Sequence, residues 1–271
     1  MIENIIEQAR ILAIDAARAA GQIARERFGT TLSMEEKGQH GDLVTEVDHL
    51  AENVIVSRIR SSFPDHQIDS EEIGRDEQES DWLWLIDPLD GTNNYAIALP
   101  VFSVSISLAY QGQLVLAVVY EPMVDRMFVA ERGKGATCNG VPMRVTKKDG
   151  THRTTIGWIQ GHNVQNEEEA VRLRNHIDIS CKRMLRLWAP TLLWCMVAKG
   201  DMDGLVLYRS AGADLYSGIL MVQEAGGAVV DFEGKPYTDM LDRPYLVACH
   251  PAQQESFIGL VKEGLDRKVH A

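Results

Sequence analysis

Trp82-Leu83-Trp84-Leu85-Ile86 is a continuous apolar run with polar sequence on either side. Alternate side chains of a strand point to opposite faces, so this run suits a strand buried on both. That demands layers above and below a sheet, and the rest of the chain alternates helices and strands in a way that supplies them.

Residues 2–28 carry Ile2, Ile5, Ile6, Ala9, Leu12, Ala13, Ala16, Ala20, Ile23 and Ala24 at helical spacing, with Gly29 placed to end the helix. A second amphipathic helix is predicted over 44–62, closed by Pro64-Asp65, and 37–42 reads as a loop between the two. Strands are expected at 82–86, 101–109 and 113–120, the last two as an antiparallel pair turning at Gln111-Gly112. A strand at 126–130 continues the sheet, and the glycine-rich segment 133–140 reads as loop. Beyond about residue 146 the expected order is strand 154–159, helix 166–176, strand 183–187, helix 190–199, strand 203–208, helix 214–225, strands 228–232 and 244–249, and helix 251–265.

The chain has 271 residues and a net charge of −12, so nonspecific attraction to a nucleic-acid polymer or an anionic membrane is not expected. No apolar stretch approaches the roughly 20 residues that span a bilayer. Cys138, Cys181, Cys195 and Cys249 form no CxxC pair, and Glu3, Glu7 and Arg10 interrupt the N-terminal apolar pattern, unlike a signal peptide. A cytoplasmic protein with reduced thiols is the expectation.

The chemistry concentrates where the apolar strand ends, in Ile86-Asp87-Pro88-Leu89-Asp90-Gly91-Thr92-Asn93-Asn94-Tyr95. Two carboxylates stand three residues apart, Pro88 restricts the backbone between them, and Gly91 permits close approach of another group. Free N–H groups at a helical turn beginning there suit a phosphate. Taken alone, Asp-Pro-Leu-Asp-Gly is equally an ordinary turn, Asp69-Ser70-Glu71-Glu72 a solvated loop, and Asp214 a helix N-cap. Glycines 133 and 135 lack the spacing of a nucleotide-binding loop, no HExxH or paired-histidine pattern occurs, and there is no GxSxG elbow.

Together, Glu71-Glu72, the segment from Trp84 to Tyr95, and Asp214 ahead of Glu224-Ala225-Gly226-Gly227 resemble the inositol monophosphatase family, within the lithium-sensitive, magnesium-dependent phosphatases. Asp42-Leu43-Val44-Thr45-Glu46-Val47-Asp48 is similar to that family's early D-x-V-T-x-x-D segment, Lys37 to the lysine ahead of it, and Gly133 to Gly140 to its G-x-G-A-x-x-N-G loop. The resemblance implies a layered αβαβα sandwich of the sugar-phosphatase type, mixing α+β and α/β. It divides the chain into a half at 1–145 with most ligands and a half at 146–271 with Asp214 and much of the pocket. Carboxylate and carbonyl oxygens are hard ligands suited to Mg²⁺. By resemblance, Glu71, Asp87 and the Leu89 carbonyl serve one ion, and Asp87, Asp90 and Asp214 another. Thr92 and Asp48 orient and deprotonate the attacking water, Glu71 assists, and the Gly91 and Thr92 N–H groups hold phosphate oxygens. The implied substrate is a small phosphorylated sugar, polyol or related ester, and the implied assembly a homodimer.

The second half departs from the family. Ala213 precedes Asp214 where tryptophan is common, Leu207 falls where the inositol enzymes carry an acid, and Trp188 where they carry a small residue. These three positions are expected to shape the alcohol pocket and to disfavour inositol 1-phosphate. Histidinol phosphate, fructose 1,6-bisphosphate and 3′-phosphoadenosine nucleotides remain open as substrates, as does a noncatalytic binding role.

Overall fold

The computed structural model describes residues 2–30, 33–37, 42–148, 150–161, 164–210, 212–238, 240 and 245–266; for Lys37, Asp42, Thr151, Ala213 and Asp214 it describes the backbone only. Five layers stack on one another. The first holds α1 (Ile2–Arg27) and α2 (Glu46–Ser62). Beneath them lies an eight-stranded sheet. Its strands in chain order are β3 (Gln67–Ser70), β4 (Gly74–Arg75), β5 (Trp82–Asp90), β6 (Ser103–Tyr110), β7 (Gln113–Glu121), β8 (Arg126–Glu131), β9 (Gly135–Cys138) and β10 (Val141–Pro142). Their spatial order is β10-β9-β8-β7-β6-β5-β3-β4. A separate hairpin, β1 (Met34–Lys37) with β2 (Asp42–Thr45), precedes α2, and the short α3 (Thr92–Ala96) follows β5.

The chain then enters a five-stranded sheet of β11 (Thr155–Gln160), β12 (Arg183–Leu185), β13 (Gly204–Tyr208), β14 (Ala228–Asp231) and β15 (Tyr245–Cys249), ordered β12-β11-β13-β15-β14. The helices α5 (Pro190–Lys199) and α6 (Ala213–Glu224) fill the space between the sheets, and α4 (Glu168–Ser180) with α7 (Gln254–Asp266) covers the outer face.

Side-chain alternation assigns the faces. Trp82, Trp84 and Ile86 of β5 pack with Val104, Ile106 and Leu108 of β6 against α1 and α2. Leu85 and Ala109 turn the other way, towards α5 and α6. In the second sheet Leu205 and Leu207 face the same central helices, while Val206 and Tyr208 face outward beneath α4 and α7. Small residues let α1 lie close on its sheet: Ala13, Ala16, Ala17, Ala20 and Gly21 are buried, and a Cβ on Gly21 would come within 2.6 Å of the Tyr120 ring.

Three differences from the sequence expectation have local causes. The 133–140 segment contains β9, because its glycines serve the turn itself, with Gly133 and Gly135 at φ 76° and 88°, and leave Ala136-Thr137-Cys138 free to pair with β8. The polar strand β3 carries no alternation to betray it, yet pairs parallel with β5. Helix α2 starts at Glu46 because Thr45 caps it: the Thr45 hydroxyl accepts the Val47 N–H, and the Asp48 carboxylate accepts the Thr45 N–H. Of the 37–42 loop, residues 38–41 lie outside the described residues, and the flanking positions close β1 and open β2.

Candidate active site

The buried strand β5 delivers two carboxylates to its end. Asp87 and Asp90 are 6% and 3% exposed, and both are held by the chain around them. Asp87 Oδ1 accepts the Leu89 N–H at 3.0 Å, which folds the Pro88 turn back on the carboxylate. Asp90 Oδ2 accepts the Ser103 hydroxyl at 3.0 Å and the Thr191 N–H at 3.1 Å. Thr191 lies in the first turn of α5, whose cap residue Ala189 has no side-chain acceptor to offer. Asp90 therefore satisfies one of the orphan N–H groups at that helix end.

Gly91 follows in a left-handed conformation, φ 104° and ψ 31°. A Cβ there would stand 3.0 Å from the carbonyl oxygens of both Trp188 and Val101, so only glycine fits without displacement. The chain then turns into α3, which Tyr95 fixes by donating its buried hydroxyl to the Ala24 carbonyl at 2.7 Å.

Thr92 reaches across to α2. Its hydroxyl lies 2.9 Å from Asp48 Oδ1 and 2.9 Å from the Leu89 carbonyl. Asp48 Oδ2 accepts the Thr45 N–H and hydroxyl at 2.8 and 2.6 Å. Burial raises the Asp48 carboxyl above the ordinary carboxylate range, against the hydrogen bonds from Thr45 and Thr92; the Glu71 charge adds to the rise. A carboxylate held in this way binds a proton more readily than an exposed aspartate.

Glu71 opens the turn after β3, its N–H donating to the Ile86 carbonyl at 3.1 Å, which sets it beside the residue preceding Asp87. A residue unnoticed in the sequence holds that turn. Glu52, buried one helical turn beyond Asp48, accepts the Ser70 hydroxyl and the Glu72 and Ile73 N–H groups, the last two at 3.2 and 3.1 Å. A carboxylate interrupting the apolar stripe Val47, Ala51, Ile55, Ile59 was the available signal.

Asp214 is the second residue of α6; the N-cap is Gly212, so Asp214 does not cap the helix. The side chains of Asp214 and Ala213 lie outside what the structure describes. One turn below, the buried Ser105 hydroxyl donates to Ser217 at 2.9 Å, and Ser105 pairs in register with Asp87. Glu224 at the other end of α6 accepts the N–H groups of Gly133 and Gly135 at 3.0 and 2.9 Å. Helix α6 is thus pinned to the first sheet at both ends.

The expected pocket residues separate. Trp188 is 58% exposed, and its carbonyl oxygen lies against Gly91. Leu207 is 1% exposed within the central core, because strand alternation turns it towards α5 and α6, and it does not line an open pocket. The donor set is otherwise oxygen only, carboxylates and one carbonyl, which fits a hard divalent cation. Among the described residues no three such side chains cluster tightly enough to complete a metal site.

Residues 6–265 match the inositol monophosphatase family. The inositol-1-monophosphatase of Mesorhizobium japonicum is 34% identical over 260 residues, covering 94% of this chain and 96% of that protein. The Nus factor SuhB of Vibrio cholerae is 35% identical over 260 residues, covering 93% and 95%. The suhB extragenic suppressor protein of Bartonella henselae superposes with a TM-score of 0.88 at 28% identity, covering 95% of this chain and 99% of that one. The IMPase of Thermotoga maritima does so at 0.84 and 30%, covering 94% and 96%. The fold, the Asp87–Thr92 turn and the match over nearly the whole chain lead to one statement: the protein belongs to the inositol monophosphatase family.

Proposed function

We propose that the protein is a Mg²⁺-dependent phosphomonoesterase that transfers the phosphoryl group of a small ester directly to water. The observation that carries this reading is the contact between Asp48 Oδ1 and the Thr92 hydroxyl at the mouth of a buried turn holding Asp87 and Asp90. Glu71, Asp87, the Leu89 carbonyl, Asp90 and Asp214 would hold the cations. When bound, Mg²⁺ supplies charge neutralisation to the phosphate, a lowered pKa to water and stabilisation to the leaving oxygen. The residues do the rest. The Gly91 and Thr92 N–H groups open α3 towards the phosphate oxygens. Thr92 accepts a hydrogen bond from the attacking water while donating to Asp48. Asp48 takes the proton through that hydroxyl. No side chain in this scheme becomes phosphorylated.

Trp188, exposed and with its backbone against Gly91, favours an alcohol with a flat or apolar face over inositol, whose hydroxyls need acceptors. With Leu207 inside the core, Trp188 is the one described residue that supports this preference. The test is phosphate release from a panel containing inositol 1-phosphate, histidinol phosphate, fructose 1,6-bisphosphate and a 3′-phosphonucleotide, with and without Mg²⁺. Metal-dependent turnover of any member supports the reading, and absence of turnover across the panel favours a noncatalytic member, in keeping with relatives named Nus factor SuhB. Inositol 1-phosphate leading in kcat/KM by about tenfold would remove the role given to Trp188.

A further inference from the structure

Helix α2 buries the apolar stripe Val47, Ala51, Ile55 and Ile59, and with it two carboxylates one turn apart, Asp48 and Glu52. Like charges at that spacing oppose a helix, and a buried acid costs stability unless donors meet it. Thr45 and Thr92 meet Asp48. The donors that meet Glu52 come from another element. Its Oε1 accepts the Ser70 hydroxyl, the Glu72 N–H at 3.2 Å and the Ile73 N–H at 3.1 Å, and the residue is 2% exposed.

Those three donors bracket Glu71. Strands β3 and β4 form a hairpin with Ser70 opposite Gly74, so Glu71, Glu72 and Ile73 are its loop, which Gly74 closes at φ 72°. None of the three loop side chains is buried: Glu71 is exposed, Glu72 half-buried, and Ile73 58% exposed. Strand β4 is only two residues long. Apolar packing therefore does little to fix this loop. Consecutive N–H groups of a turn form a concave anion site, and here the protein's own Glu52 carboxylate fills it. The Glu71 N–H meanwhile donates to the Ile86 carbonyl at 3.1 Å. Residue 71 is thus fixed from two directions, through its own amide to β5 just before Asp87, and through its neighbours to Glu52. An acid on a loose loop loses conformational freedom each time it binds a ligand, and a loop ordered in advance avoids that cost.

We infer that Glu52 is a positioning residue, which holds the 70–73 loop so that Glu71 is presented to a divalent cation. It acts through the loop and not as a ligand, since its Oε1 is already occupied by three donors. The inference deepens the proposed phosphatase reading and rests on it for Glu71 as a ligand. One face of α2 then sets two parts of the site, the Asp48 carboxylate at Thr92 and, one turn on, the loop that carries Glu71.

The experiment is calorimetric titration of the protein with Mg²⁺ alone, in a double-mutant cycle of Glu52→Gln and Glu71→Gln. Ser70→Ala, which removes one of the three donors, is taken through the same cycle and decides alone if Glu52→Gln fails to fold by circular dichroism. Glutamine keeps an oxygen at position 52 and removes the charge that strengthens its hydrogen bonds. Outer partners that orient a metal ligand are typically worth roughly 10–100-fold in affinity, so Glu52→Gln should weaken Mg²⁺ binding about tenfold, and Ser70→Ala by less. With Glu71→Gln already in place, neither change should weaken binding further, because the loop then has no carboxylate to present. Equal losses in both backgrounds would mean that position 52 acts through its charge or the fold at large, and would overturn the inference. Unchanged affinity in both Glu52→Gln and Ser70→Ala overturns it as well. If Glu71→Gln alone leaves Mg²⁺ affinity intact, Glu71 is no ligand and the positioning role falls with it. No ester is present in the titration, so a protein that shows the expected cycle and hydrolyses no phosphate ester keeps the positioning role and loses the phosphatase reading.

Discussion

At the scale of single residues, the site is built from side chains already tied to the chain around them. Asp90 binds Ser103 and Thr191 through one oxygen, and the family resemblance gives it a cation as well. Asparagine retains an acceptor for those two donors and loses the charge. Asp90→Asn is thus expected to abolish most metal-dependent hydrolysis while leaving the thermal midpoint close to wild type; full turnover at limiting Mg²⁺ would exclude Asp90 as a ligand. Thr92→Ala removes the hydroxyl facing Asp48, and proton relay of this kind is typically worth ~10²–10⁴-fold. The fall should appear in kcat, and a variant with normal kcat but a raised Mg²⁺ requirement would take Thr92 out of the relay. Gly91→Ala forces a Cβ to 3.0 Å from two carbonyl oxygens at a φ of 104°. Strain of this sort costs about 1–3 kcal/mol, to be read as a lowered denaturant midpoint. These residues were legible in the sequence because the D-P-x-D-G-T run is local. Glu52 was not, since its meaning depends on a turn eighteen positions away that only the fold brings to it.

At the scale of elements, α6 decides where Asp214 stands relative to Asp87. The Ser105–Ser217 hydrogen bond is completely buried between β6 and that helix, one turn from Asp214. Removing either hydroxyl takes a buried partner from the other, which costs about 1–3 kcal/mol. Removing both should cost less than the sum of the single changes in urea melts, and additive losses would show that the two hydroxyls are not coupled. The long elements were readable from periodicity: α1, the β6–β7 hairpin and α5, which Gly200 ends in a left-handed cap, fall within a few residues of expectation. Short elements escaped. The strand β3 is polar, β9 hides among glycines, and Leu207 looks like a pocket position by counting while the register of β13 turns it inward.

At the scale of the whole molecule, stability carries a pH signature from one buried ring. His66 is stacked between Phe63 and Trp82, at centroid distances of 4.7 and 5.3 Å, and accepts the Trp84 indole N–H through Nδ1 at 3.1 Å. Burial pushes its pKa down to about 4, with Asp65 opposing the fall. The folded state excludes a proton that the unfolded chain binds below its ordinary pKa of about 6.5. The stability this ring contributes is present above that value and is lost as pH falls from about 6.5 to about 4, an effect of about 2 kcal/mol after allowance for solvent screening. His66→Gln keeps an acceptor for Trp84 and should flatten that part of the stability profile; an unchanged slope would assign the acid sensitivity elsewhere. A layered α/β arrangement was legible from the alternation of elements and the αβαβα order was implied by the family resemblance, but which faces meet was not legible, because the surfaces of the central core are far apart in the chain. The central layer shows what this means for inheritance. Leu85, Val119 and Phe128 of the first sheet share one core with Leu193, Leu205 and Leu220 from beyond residue 146. A chimera that joins this chain to a relative near residue 145 would mate one ancestor's sheet with another's helices. What recombination can exchange without loss is a pair of facing surfaces, and for the central core no stretch on one side of residue 145 contains both.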